Sequence, residues 1–420
     1  MNVIFCNANT LMDVSLIREL KDWGMNFVLI TATEEIRHLL KQYYGIDAVS
    51  LDEYRALDIY KHNSVAEYNF GGNEYLPILD RYKVVGDLTA DTKRIFFNNA
   101  FAHWNAFLNN HQVEFAIFKM TPHLLYDFVM YELCEQKEIK RVIIEKTYWE
   151  NIVLLQKTFR YNDCIRNPDG IGTIEDVTSR ITVKKMPYWT EAKIANQKRF
   201  EKKPDNASGL KRLAKSAGDL IKGPVLREYG FYDGEYKSAD EVRRYHLLKR
   251  WGIHSKIRNI NAEIVNEYNR SLTDYEQIRD SKNIVFYLQC QPEKSTSPLG
   301  GKYADQLLAI RNFMSWMPEG YHLLVKEHPS QFTRWQSLDK GRFPGFYKKV
   351  TDMGCSLISH KTDNLQLFES TALTISITGS IVFEAWVLGY KAAFLGFPWY
   401  RIFNIKQASS KQNVEMLLNE

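Results

Sequence analysis

Short apolar runs alternate with stretches in which apolar positions recur at helical spacing, and this rhythm occupies both ends of the chain. Near the start, Asn2–Cys6 predicts a strand, Val14–Gly24 a helix and Asn26–Thr31 a second strand. Gly24 stands where a helix-stopping glycine is expected, and Thr33–Gly45 predicts a further helix, capped by Thr33 and stopped by Gly45. Phe115–Lys119 and Arg141–Lys146 predict strands on either side of a helix over His123–Lys137. Strand–helix–strand succession of this kind argues for a parallel sheet with helices on both faces.

The same rhythm returns at Asn283. Strands are predicted at Asn283–Gln289, Tyr321–His328, Cys355–His360, Leu373–Thr378 and Lys391–Gly396. Helices are predicted between them at Lys302–Met317, Phe343–Gly354, Asp363–Thr371 and Ser380–Gly389. The expected fold class is therefore α/β, with two Rossmann-like domains, 1–187 and 281–420, facing each other across a cleft. Such clefts are favoured ligand sites.

The middle, 188–280, breaks the pattern. It is rich in Lys and Arg and nearly free of strand signals, so it reads as a basic, mainly helical linker or insert. Leu210–Gly223 sets Leu210, Leu213, Ala217, Leu220 and Ile221 on one face of a helix. That face suits packing against a neighbouring domain, or resting on an anionic membrane. Ser238–Ile253 reads as a second helix with Ser238 at its cap.

Composition narrows the picture only in part. The chain has 420 residues and a net charge of +5, compatible with anionic substrates and too weak to argue for nucleic acid. Its five cysteines are scattered with no C-x-x-C spacing, which fits a reducing compartment and offers no metal site. The first residues read as a strand and not as a signal peptide. No apolar stretch reaches the roughly 20 residues that span a bilayer. The expected location is cytoplasmic, with peripheral contact at the inner face of a membrane as a further option.

Four constellations carry candidate chemistry. The loop Leu288–Gly301 (LQCQPEKSTSPLGG) lies between a strand and a helix and supplies Gln291, Glu293, Ser295, Thr296 and Ser297, suited to an anionic or hydroxyl-rich ligand. The strand ending Lys326-Glu327-His328-Pro329 sends Lys326 and His328 to one face by alternation, where the two together could grip a phosphate, and Glu327 to the other. Thr378-Gly379-Ser380 joins a strand to a helix whose free N–H groups make a phosphate seat. Glu384 follows one turn along that helix as the single acid among apolar residues, placed to accept from ribose hydroxyls. In the N-terminal half, His123, Asp127 and Glu145 sit at a helix start and a strand end, where a carboxylate or imidazole could serve as base, acid or nucleophile.

The stretches QPE…TSPLGG, VKEHP and TGS…EAWVLGYKAAFLGFPWY, in that order, resemble the bacterial capsule and lipopolysaccharide polysaccharide-biosynthesis proteins. That group includes the retaining β-Kdo transferases, which use CMP-Kdo. The His-Pro and Ser/Thr elements are also similar to those of bacterial sialyltransferases using CMP-sialic acid. The resemblance spans Asn283–Tyr400, extends to Phe115–Lys157 and is not seen across the basic middle. It implies a GT-B glycosyltransferase. By that likeness His328 and Thr378, Gly379 and Ser380 would hold the CMP phosphate and Glu384 the ribose; Gln291, Ser297 and Lys326, from the loop and strand end read above, are the further donor-site candidates. One of Glu145, Asp127, His123 or Glu293 would act in catalysis. No cofactor and no metal is implied; the partners are a nucleotide-sugar donor and a glycan or glycolipid acceptor. Proteins of this kind use a final helix to cross back between domains, and the sequence soon after Tyr400, SSKQNVEMLLNE, leads to the expectation that this helix is lacking. A CDP-polyol phosphotransferase of the teichoic-acid type and a non-catalytic glycan-assembly subunit are the alternatives.

Overall fold

The computed structural model describes residues 1–50, 73–81, 90–147, 153–160, 231–232, 235–236, 247–332 and 338–419. The expected helix at Leu210–Gly223, and Cys164, lie outside the described residues. The chain divides into two compact units, the first carrying the N-terminal sheet and the second the C-terminal sheet.

In the first unit, β1 (Asn2–Ala8), β2 (Asn26–Ala32), β3 (Val49–Ser50), β4 (Phe115–Phe118), β5 (Lys140–Lys146) and β6 (Val153–Gln156) form one sheet in the order β3-β2-β1-β4-β5-β6. All pairings are parallel except the edge strand β6, which runs antiparallel to β5. Helices Leu11–Asp22, Glu34–Tyr44, Ala90–Asn110 and Leu125–Gln136 accompany it. Gly45 ends the second of these in a left-handed conformation (φ 61°), as its position in the sequence predicts. A short hairpin, β7 (Phe231–Tyr232) and β8 (Glu235–Tyr236), groups with this unit.

The second unit repeats the plan. Strands β9 (Asn283–Tyr287), β10 (His322–Lys326), β11 (Ser356–Ile358), β12 (Leu373–Ser376), β13 (Ala392–Phe394) and β14 (Lys406–Gln407) are ordered β11-β10-β9-β12-β13-β14, all parallel. Strands β9 and β12 are buried throughout: β9 carries the apolar run Ile284–Tyr287, while β12 alternates and buries Thr374 and Ser376 as well. Each sheet thus has the doubly wound order in which the winding reverses beside its first strand. In such sheets ligands bind outside the carboxyl ends of the strands at that reversal.

The segment 188–280 is not all linker. Helix Leu247–Ser271 buries Ile264 and Tyr268 in the core of the second unit, and Glu267 accepts the N–H groups of Gly345 (2.5 Å) and Lys348 (2.7 Å) at the start of helix Phe346–Asp352. After Tyr400, helix Lys411–Asn419 buries Val414, Leu417 and Leu418 in the core of the second unit itself.

Candidate functional site

In the second sheet the winding reverses between β9 and β12, whose last residues, Tyr287 and Ser376, are register neighbours. The loop after β9 is folded tightly back. Gly300 lies so close to the Thr296 carbonyl that an added Cβ would sit 2.4 Å from its oxygen, and the Phe397 N–H donates to the Leu299 carbonyl (2.9 Å). This packing brings the loop against the turn after β12.

That turn, Thr378-Gly379-Ser380, splits its donors into two sets. Gln289 orients its amide oxygen toward the N–H groups of Thr378 (3.2 Å) and Gly379 (2.9 Å), and its amide nitrogen toward the Ser295 carbonyl (3.2 Å). The Thr378 hydroxyl donates to that same carbonyl (2.5 Å). The phosphate seat expected of all three residues is therefore half filled by the protein's own amide. The next donors are different. Among the described residues no protein group accepts from the N–H of Ser380 or Ile381, or bonds the Ser380 hydroxyl, at the start of helix Ser380–Val387. Tyr400 holds the turn from behind by donating to the Gly379 carbonyl (2.8 Å).

The neighbouring helix starts in this unit are closed by acids. Asp305 accepts from Leu307 and Leu308 at the start of Gln306–Trp316, Glu267 closes Phe346–Asp352, and Asp363 accepts from Gln366 at the start of Asn364–Ser370. Helix Ser380–Val387 has glycine at its cap and no capping side chain. Among the described residues no carboxylate caps its positive end.

The end of β10 holds a buried charge cluster. Glu327 and Arg342 form a two-pronged ion pair (Nε to Oε2 2.7 Å, Nη2 to Oε1 2.8 Å) with both side chains fully buried. Glu327 also accepts the Tyr347 hydroxyl (2.7 Å) and the His328 N–H (2.7 Å). Alternation sends Glu327 and Lys326 to opposite sides as expected, but Lys326 does not join His328 in an open grip. The buried Lys326 ammonium donates to the Thr362 carbonyl and to Asn364 Oδ1, and lies over the Tyr287 ring. Burial pulls its pKa down to about 7, against the opposing pull of Asp363.

His328 is half-buried. Its Nδ1 accepts the Ser330 N–H (3.1 Å), so the neutral ring carries its proton on Nε2. Burial lowers its pKa to about 4; Glu327 opposes this, and Arg342 and Lys326 add to it. At neutral pH His328 is an uncharged donor and not the cation its position suggests.

The remaining predicted donor residues are mainly structural. Gln291 receives Arg342 Nη1 on its side-chain oxygen (2.9 Å) and donates to the Ala304 carbonyl (2.8 Å). The Glu293 carbonyl accepts from Thr296 and Ser297, and Ser297 is buried. Glu384 is buried, and its charge adds to burial in pushing the Tyr287 and Tyr400 phenols upward.

In the first unit, the candidates for catalysis are absorbed by the scaffold. Asp127 is fully buried; Oδ1 accepts the N–H groups of His123 (3.0 Å) and Leu124 (2.7 Å), and Oδ2 accepts Asn7 Nδ2 (2.7 Å). It pairs with the His123 backbone, and the His123 ring turns instead to donate Nδ1–H to the Thr121 carbonyl (3.0 Å). Glu145 is buried and takes the N–H (2.8 Å) and hydroxyl (2.5 Å) of Thr121. Asp13 and Lys119 form a further buried ion pair.

Arg342, Gln289 and Asp13 escape a reading of the sequence. The signal for Arg342 is indirect: a buried strand end carrying Glu327 needs a cation, but among 55 Lys and Arg nothing local says which. Among the described residues no group of His, Cys, Asp and Glu could hold a metal ion.

No protein-family model and no curated protein matches the chain. Among solved structures, it is similar to the UDP-GlcNAc 2-epimerase of Methanocaldococcus jannaschii (10% identity over 100% of this chain and 92% of that one, TM-score 0.23). It is also similar to KpsC, a beta Kdo 2,7 transferase from Thermosulfurimonas dismutans (10%, 99% and 88%, TM-score 0.30). A third is S. aureus MnaA in a co-structure with UDP (10%, 100% and 88%, TM-score 0.24). With similarities at this level, the functional reading rests on the chain's own residues.

Proposed function

We propose that this chain is a glycosyltransferase of GT-B type that takes a nucleotide-sugar donor and seats the donor phosphate on the second sheet. The observation that carries this reading is the start of helix Ser380–Val387. Among the described residues no side chain caps it, beside three acid-capped helix starts, and it opens at the winding reversal of a doubly wound sheet. The Ser380 and Ile381 N–H groups and the Ser380 hydroxyl supply donors there, and His328 Nε2–H offers another from the next strand end but one. Donors already in place where negative charge develops on a departing phosphate lower the barrier to transfer.

The buried cations of this edge, Arg342 and Lys326, are spent on protein partners. Neutral donors suit the single charge of a sugar-linked monophosphate, which is a phosphodiester, better than the two charges of a sugar-linked diphosphate. This favours a CMP-linked donor, and with the sequence resemblance it favours Kdo or a related acidic sugar, transferred to a surface polysaccharide or lipopolysaccharide. Among the described residues no helix is long and apolar enough to cross a membrane.

The test is a donor-hydrolysis panel of CMP-Kdo, CMP-sialic acid, UDP-sugars and CDP-glycerol, run beside thermal-shift titrations with CMP, UDP and CDP. A CMP-linked sugar is expected to turn over, and CMP to raise Tm. His328→Ala is expected to lose most turnover with the fold intact. Turnover of CDP-glycerol alone would move the reading to a polyol phosphotransferase. No stabilisation by any nucleotide would overturn it.

A further inference from the structure

Arg342 spends its five N–H donors on separate pieces of the carboxyl edge. Nε and Nη2 grip Glu327. Nη2 also donates to the Gln289 carbonyl (3.1 Å), and Nη1 donates to Gln291 Oε1 (2.9 Å) and the Gly341 carbonyl (2.7 Å). Two of these partners, Glu327 and Gln289, lead to the two halves of the proposed phosphate seat. Glu327 accepts the His328 N–H and so fixes the backbone from which the imidazole projects. Gln289 holds the N–H groups of Thr378 and Gly379, and so fixes the turn that presents Ser380 and Ile381.

The surroundings leave the guanidinium no slack. Gly341 approaches Gln291 so closely that an added Cβ would lie 2.6 Å from the Gln291 Cβ. Gln331 accepts the Gln291 N–H (2.8 Å), and Gln306 brackets Gln289 by accepting its N–H (2.8 Å) and donating to its carbonyl (2.9 Å). The Arg342 guanidinium lies over the Phe346 ring at 4.6 Å. It is out of reach of solvent, and among the described residues its donors end on protein acceptors.

We infer that Arg342 is a positioning residue: through Glu327 it sets the His328 imidazole, and through Gln289 it sets the Ser380–Ile381 amides, so that one buried guanidinium fixes the spacing of both. The inference rests on the phosphate-seat reading for its effect on binding, but its effect on His328 exists without ligand. A lysine could keep the charge pair with Glu327 and could not span the other acceptors, because its donors radiate from one nitrogen.

The experiment compares wild type with Arg342→Lys and with the double variant Glu327→Met/Arg342→Met, which replaces the buried pair by apolar volume and leaves no orphan charge. Imidazole nitrogen shifts of His328 are read by NMR on ligand-free protein, and CMP affinity is read by calorimetry. In wild type His328 is expected to show a single Nε2–H tautomer. In the folded variants that preference is expected to blur and CMP affinity to fall at least tenfold, with Ser380-dependent and His328-dependent binding lost together. Variants that fold and keep both the wild-type tautomer and the wild-type affinity would overturn the inference. Loss of the fold in both variants would also overturn it, reducing Arg342 to a stability element. Failure of wild type to bind any nucleotide would sink the functional reading alone, and the tautomer comparison would still decide the role of Arg342.

Discussion

The two sheets share one strand order and use their carboxyl edges in opposite ways. In the first unit the two residues before each helix at the winding reversal give their N–H groups to a carboxylate. Asp13 takes the N–H groups of Asn9 and Thr10 (both 2.9 Å) before helix Leu11–Asp22 and is neutralised by Lys119. Asp127 takes those of His123 and Leu124 before helix Leu125–Gln136. In the second unit the corresponding turn after β12 receives a neutral amide from Gln289 and stops there, leaving Ser380 and Ile381 open. A carboxylate already seated at a helix start repels a second anion, whereas an uncapped start attracts one. The two N–H groups before the helix therefore meet a charged carboxylate from the helix's own third residue in the first unit, and a neutral amide reaching over from the loop after β9 in the second.

Several changes would break or sharpen this contrast. The largest effect is expected from Ser380→Pro. Proline is tolerated at the first position of a helix and removes its N–H, and Gly379 before it already has an extended conformation (φ −64°, ψ 135°). The fold should survive while CMP binding weakens by roughly tenfold or more, because two donors to a charged group are lost. Leu11→Pro is the matching change in the first unit and should leave that affinity untouched; a titration calorimeter reads both.

Next in size is Asp127→Asn. Its amide would face the Asn7 amide donor at 2.7 Å and lose the charge that holds two N–H groups. Stability should fall by about 1–3 kcal/mol with nucleotide affinity unchanged, as chemical denaturation and a parallel titration would show.

Smaller effects come with pH. The folded His328 titrates near pH 4, below the ordinary value of about 6.5, so between the two the unfolded chain holds the extra proton. Stability should decline as pH falls from about 6.5 toward 4, and His328→Gln should flatten that limb. Lys326 titrates near 7 when folded, below its ordinary value of about 10.4, so stability should rise from about pH 7 toward 10. Lys326→Met should remove that rise. Denaturation midpoints across pH check both signs.

Much of this fold is legible in the sequence, for identifiable reasons. The central strands of the second sheet are buried on both faces; β9 and β10 stand out by the apolar runs Ile284–Tyr287 and Leu323–Val325, and β12 by its alternating Leu373 and Ile375, so all three fall where the pattern places them. The edge strands β3 and β14 have two residues each, and those of β14 are exposed, which leaves no pattern to find. Helix Ala90–Asn110 carries a readable signal, with Phe97, Ala100, Phe101, Trp104 and Leu108 buried at helical spacing, but aromatic residues on its other positions obscure it.

The site is legible in its location and less so in its assignments. Thr378-Gly379-Ser380 and His328 lie at the carboxyl edge as their positions predict. Which donors remain open does not follow from local sequence. It depends on Gln289 reaching Thr378 and Gly379, and on Glu327 finding Arg342, contacts between residues far apart in the chain. Lys326 and Asp127 show the same limit from the other side: each has the chemistry of a site residue and each is consumed by a partner that only folding brings near.

The most direct measurement is a crystal structure of the protein with CMP bound. The phosphate is expected within hydrogen-bonding distance of the Ser380 and Ile381 amides, with His328 Nε2–H toward it and nothing bound at the Asp13 and Asp127 helix starts. A phosphate resting on the first sheet, or a nucleotide held elsewhere with the Ser380 amides untouched, would contradict the contrast between the two edges.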